Sequence, residues 1–150
     1  SPFISPKNLT YTDVNNILEN AKKIMDDAKK SILSTVVENA LQSIDRFGFP
    51  IIKSKQQGYY SWYIQFSPCN GQNHRDMPDI ELRVRISDHV ANGSNVSAKD
   101  IKKVFIKWFI LGDVTYSSAF NAIVAIDRMC ENLSNGNLDD LINYIPELKF

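Results

Sequence analysis

The amino-acid sequence predicts an α+β fold: a small antiparallel sheet of three or four strands, covered by a long N-terminal helix or helix pair and by C-terminal helices. Three observations carry this expectation. Residues 7–47 contain no Gly or Pro and repeat apolar side chains at helical spacing. Residues 80–86 alternate apolar and charged side chains without a break. Helical spacing then returns over residues 119–133. Helices and strands are thus segregated along the chain, whereas an α/β protein would alternate them.

Residues 1–9, with Pro2 and Pro6, read as an extended arm on a single domain spanning residues 1–150. Thr10 and Asp13 form a capping-box pattern that opens the first helix. A helix of about 35 residues would run about 50 Å. Thr35 and Glu38 repeat the capping pattern, which predicts a break near Ser31 to Thr35. Gly48 and Pro50 supply the stop. Ile51 to Lys53 read as a short strand, Gln56 to Gly58 as its turn, and the aromatic run Tyr59 to Phe66 as the next strand. Polar residues 67–79 separate it from the strand at 80–86, and 87–97 form a loop. Residues 98–111 fit a helix or a strand. The β-branched and aromatic content of Val104 to Ile110 favours a strand over 103–111, paired with 80–87 and ended by Gly112-Asp113. The helix from Ala119 to Leu133 stops at Gly136, and Asn137 opens a short last helix that ends before Pro146.

Lys plus Arg and Asp plus Glu both number 17, so the chain lacks the basic excess of a dedicated nucleic-acid binder. Near-neutral charge also weakens self-repulsion and leaves room for a homo-oligomer. The two cysteines, Cys69 and Cys130, form no disulfide framework and read as free thiols in a reducing, cytoplasmic setting. No apolar run approaches the roughly 20 residues of a membrane span. No glycine-rich phosphate loop, nucleophile elbow or other cofactor motif occurs, so no cofactor is expected. Cys69, His74, His89 and Cys130 lack zinc-site spacing, so no metal is expected either.

The most distinctive stretch is Arg83-Val84-Arg85-Ile86-Ser87-Asp88-His89. Alternation sends Arg83 and Arg85 to one face and places Asp88 and His89 where the strand ends. A His beside a carboxylate can move protons near neutral pH, and guanidinium groups can hold phosphate or carboxylate. Arginine on an open sheet face and an Asp-His turn are equally ordinary structural features. The second feature is the aromatic run, which puts Tyr60 and Trp62 on one face of their strand and Tyr59, Ser61 and Tyr63 on the other. Such rings serve a core, a protein interface or base stacking. Lys99, Lys102, Lys103 and Lys107 form a basic cluster that reads as a solvated edge.

Ser61-Trp62-Tyr63-Ile64 followed by Arg85-Ile86-Ser87-Asp88-His89 resembles a pattern in small uncharacterised proteins of phages, plasmids and integrated elements. There a Ser-x-Tyr strand precedes one that ends Arg-Ile-Ser-Asp-His. The match covers about a fifth of the chain, and the polar insert before Asp79 departs from the tight hairpin usual in that pattern. The resemblance implies a phage or mobile-element setting and no particular activity. The expectation is a non-enzymatic accessory or inhibitor module that binds a protein partner through Tyr60, Trp62, Arg83 and Arg85. Two alternatives use the same region. One is a small nuclease or phosphoryl-handling enzyme with His89 as acid–base and Asp88 as its orienter. The other is a single-stranded nucleic-acid binder.

Overall fold

The computed structural model describes residues 10–69, 78–86, 103–109 and 112–136. Its elements run α1 (Tyr11–Arg46), β1 (Ile51–Gly58), β2 (Ser61–Phe66), β3 (Ile80–Ile86), β4 (Val104–Trp108), β5 (Gly112–Tyr116) and α2 (Ala119–Asn135). The five strands form one antiparallel sheet in the order β1-β2-β3-β4-β5, each paired with its neighbour in sequence. Both helices pack on the same face of this sheet. The class is α+β, with one strand more than expected.

Helix α1 starts as its capping box dictates: Thr10 Oγ1 accepts from the Asp13 amide (3.2 Å), and the Asp13 carboxylate accepts from the Thr10 amide (3.1 Å). The expected break near Ser31 to Thr35 is absent, and α1 is a single helix of 36 residues. Thr35 does not cap because its hydroxyl donates back to the Ser31 carbonyl (2.8 Å), a bond made inside a continuing helix. The stop is the expected one. Gly48 takes φ 78°, its amide donates to Asp45 (2.9 Å), and the Phe49 amide donates to Ile44 (3.1 Å). This is a Schellman closure, and Phe49 then stacks on Phe66 with ring centroids 5.7 Å apart.

Three strand boundaries differ from expectation. β1 runs through Gln56 to Gly58, and the turn falls at Tyr59 and Tyr60. The aromatic strand therefore begins at Ser61. Gly112-Asp113 does not end the sheet but opens β5, with Gly112 at φ 110°. Residues 104–108 are a strand paired with β3, as their β-branched and aromatic content predicts. Residues 1–9, expected as an arm, the polar residues 70–77, residues 87–97, expected as a loop, and the last helix expected after Asn137 lie outside the described residues.

The register fixes two faces. Trp62, Val84, Ile106 and Val114 lie side by side across four strands, as do Ile64, Leu82, Trp108 and Gly112. These rows meet Leu33, Val36, Ala40 and Ile44 of α1 and Ile126, Met129 and Leu133 of α2 in one core. Ser43 Oγ donates to the Asp127 carboxylate (2.9 Å), and Arg46 pairs with the same group, which fastens α1 to α2. Cys130 is buried beneath this clasp, and burial raises its thiol pKa to about 12 against a smaller opposing pull from Arg46. β1 is exposed along its whole length, and its pairing with β2 shifts register twice. Lys53, Lys55 and these irregularities are features that discourage further strand addition at an edge.

Candidate binding face

The opposite rows build the surface that no described helix covers. Ser61, Arg85, Phe105 and Thr115 form one row, and Lys55, Tyr63, Arg83, Lys107 and Asp113 the next. Period-two alternation from a half-buried sheet sends these side chains outward together. Arg85 lies over the Phe105 ring at 4.6 Å, while Arg83 and Lys107 lie over Phe109 at 5.7 and 5.3 Å. Phe109 in turn meets Tyr63 edge to face, with centroids 5.9 Å apart. Each ring thus offers its electron-rich face to a cation, an arrangement worth about 0.5–1 kcal/mol at an exposed site.

Tyr63 is the centre of this surface. It is only 9 % exposed although it sits on the face that no described helix covers; Lys55 lies over its ring, Phe109 meets its edge, and Arg83 is its cross-strand neighbour. Its hydroxyl donates to the Glu81 carboxylate. Burial, followed by the bond to Glu81, raises the phenol pKa to about 12. Arg83 Nε donates to Gln57 Oε1 (3.0 Å), which orients the guanidinium along the sheet. Between Arg83, Arg85, Phe105, Lys107, Asp113 and Thr115 lies a shallow depression of about 230 Å³. Among the described residues the face carries Lys53, Lys55, Arg83, Arg85 and Lys107 against Asp79, Glu81 and Asp113, so it is basic although the whole chain is neutral.

The four residues expected to share one binding face do not. Arg83 and Arg85 are on the open face, but Trp62 pairs with Val84 and packs against the core from the helix side. Trp62 Nε1 donates to Ser54 Oγ (2.8 Å), and its ring lines a groove of about 460 Å³ between α1 and β1. Tyr60 is in the β1–β2 turn and also packs against the core. Its hydroxyl donates to Asp26, Lys29 sits over its ring at 4.9 Å, and Tyr59 joins through Lys30 Nζ (3.2 Å). These contacts brace α1 and hold the Asp26 pKa below the usual carboxylate value, the Tyr60 bond being the main cause. Tyr60 and Trp62 are therefore not the neighbours of Arg83 and Arg85. The residues beside them are Tyr63, Phe105 and Phe109. The alternation rule applied across β2 and β3 together finds Tyr63, because the residue that faces Arg83 must share its side.

Asp88 and His89 lie outside the described residues, as does His74. Neither Cys69 nor Cys130 is in a disulfide, and no group of three or more His, Cys, Asp or Glu side chains suited to a metal ion occurs among the described residues. Among those residues, no helix is long and apolar enough to cross a membrane. No family model, curated protein or solved structure matches the chain.

Proposed function

We propose that this protein is a non-enzymatic interaction module that receives an acidic protein surface on the open face of its sheet. The observation that carries this reading is the layer formed by Tyr63, Phe105 and Phe109 beneath Arg83, Arg85 and Lys107. Tyr and Arg dominate the energetics of protein interfaces, and here they are held in place before any partner arrives. The excess of cations on this face favours a partner rich in Asp and Glu. The resemblance of the Ser61 and Arg85 stretches to phage and plasmid proteins supports reading such a module as an accessory or inhibitor of a mobile element.

A single-stranded nucleic acid is the second reading, supported by the same cations and by Phe109, which is 40 % exposed. It is weaker because Phe105 and Phe109 already carry cations over their faces, and a base would have to displace them to stack. The two readings separate in one experiment. Wild-type protein and an Arg83→Glu/Arg85→Glu variant serve as baits in host extract, alongside titration with a 20-mer of thymidine at about 50 and 200 mM salt. A protein retained by the wild type and released by the variant supports the module. Retention of the same proteins by both baits defeats it. Tight oligonucleotide binding that weakens steeply with salt transfers the face to nucleic acid.

A further inference from the structure

Helix α1 carries two apolar stripes on different sides. In its second half, the rows Leu33–Ala40, Val36–Ser43 and Val37–Ile44 face the core. Seven and fourteen residues earlier these same rows read Asp26 and Glu19, Lys29 and Lys22, and Lys30 and Lys23. The core-facing side is thus polar in the first half. Apolar residues occupy other rows there: Tyr11, Leu18 and Met25; Val14, Ala21 and Ala28; Ile17 and Ile24. In the second half those rows read Ser31, Thr35, Glu38, Asn39 and Gln42, with Ile32 alone still apolar and packed beside the core. The exchange falls between Ala28 and Leu33. The first-half stripe is therefore not the core stripe extended, but a surface of its own that meets the core at Ile32. No residue of α1 before Lys29 is buried, and Tyr11 and Ile24 are 82 % and 70 % exposed.

We propose that residues 11–28 of α1 form an antiparallel helix pair with the same segment of a second copy of this chain. A seven-residue apolar repeat is the pattern of paired helices. The direction follows from what each arrangement sets side by side. A parallel pair would stack like on like, Ala21 on Ala21 and Ala28 on Ala28, leaving gaps between large layers. It would also set Ile17 and Ile24 beside Lys22 and Lys29 of the other copy. An antiparallel pair centred between Leu18 and Ala21 places Leu18 on Ala21, Val14 on Met25 and Tyr11 on Ala28, large against small. It brings Ile17 beside Ile24 along one flank. It also aligns the first half, whose only charges are Asp13 and Glu19, with the net basic half from Ala21 to Lys30. The opposed helix dipoles favour the same direction.

The size of the stripe sets the strength. A large aliphatic side chain carries on the order of 100 Å² of apolar surface. The half-exposed Val14, Ile17 and Leu18, with the more open Tyr11 and Ile24, then offer on the order of 300 Å² per chain. That is below the roughly 800 Å² per partner of a standard stable complex, so the pair is reversible, with a dissociation constant in the micromolar range. The proposal is independent of the open sheet face.

Sedimentation equilibrium from about 1 to 500 µM, bracketing that affinity, should show the mass rising toward twice that of one chain. Leu18→Glu, at an exposed position, should raise the dissociation constant at least tenfold with an unchanged thermal midpoint, while Asn16→Ala on the polar side leaves it unchanged. Direction is read in a Cys69→Ser background. Val14→Cys and Met25→Cys chains should form disulfides when mixed and neither should do so alone. A single chain mass at every concentration overturns the proposal, and protection of Val14 and Leu18 in that monomer would assign the stripe to the chain's own remaining segments. Disulfides within each single-cysteine sample overturn the antiparallel direction.

Discussion

The two faces of the sheet come from the same strands and the same register, yet they are held by different physics. On the helix side, Ile64, Leu82, Val84 and Ile106 are removed from water, and their contribution scales with the apolar area buried. On the other side, Tyr63, Phe105 and Phe109 are roofed by cations whose ammonium and guanidinium groups stay near solvent. The first face stabilises the fold whatever the ionic conditions. The second contributes little to stability, because exposed cation–π contacts are individually weak. Neighbouring residues one step apart along β3 should therefore behave very differently.

The largest expected contrast is between Leu82 and Arg83. Leu82→Ala should cost about 3–5 kcal/mol in denaturant titration, because it opens a cavity in a packed core. Arg83→Ala should cost under about 1 kcal/mol. Equal costs would erase the distinction between the faces. The Cys130 thiol supplies an independent readout, since burial keeps it protonated. It should resist alkylation at neutral pH in the wild type and react readily in Leu82→Ala, while half-buried Cys69 labels in both.

The next effect concerns the clasp that holds the helical layer. Asp127→Ala removes the acceptor for Ser43 and Arg46 and should lower stability by about 1–2 kcal/mol, read from the thermal midpoint. A smaller change sharpens the open face. Tyr63→Phe should cost about 1 kcal/mol through the lost bond to Glu81. The phenol pKa is raised in the folded state, so its contribution is complete below pH 10 and disappears as pH rises toward 12. Wild-type stability should fall across that window more steeply than that of Tyr63→Phe. The smallest effect belongs to Lys55, 6.0 Å from the Tyr63 centroid on the exposed edge strand. Lys55→Ala should change stability by less than about 0.5 kcal/mol.

Period and capping made much of this fold legible in the sequence. Strict alternation over residues 80–86 gave the central strand, and the Gly48 and Gly136 stops gave both helix ends. Thr35 misled because its hydroxyl can serve a helix interior as well as a helix start, and only the packing of Leu33, Val36 and Val37 on the sheet decides between them. β5 was hidden because Gly112-Asp113 is a turn signal, while Val114 and Tyr116 are too few to announce a strand until β4 offers them partners. The candidate face was half legible. Alternation placed both arginines outward, but Tyr60 belongs to the turn, and one-strand reasoning could not register β2 against β3.

The bond from Ser43 to Asp127 links residues 84 positions apart. During synthesis at about 5–20 residues per second, the second partner is made roughly 4–17 s after the first. For that interval the second half of α1 has its sheet-facing stripe but not the helix that packs beside it on the sheet. The β-hairpins can form one after another as they emerge, because each strand needs only the one before it. Helix α2 therefore acts as the lock on a nascent chain, and truncation before Ala119 should leave a sticky intermediate rather than a smaller folded protein.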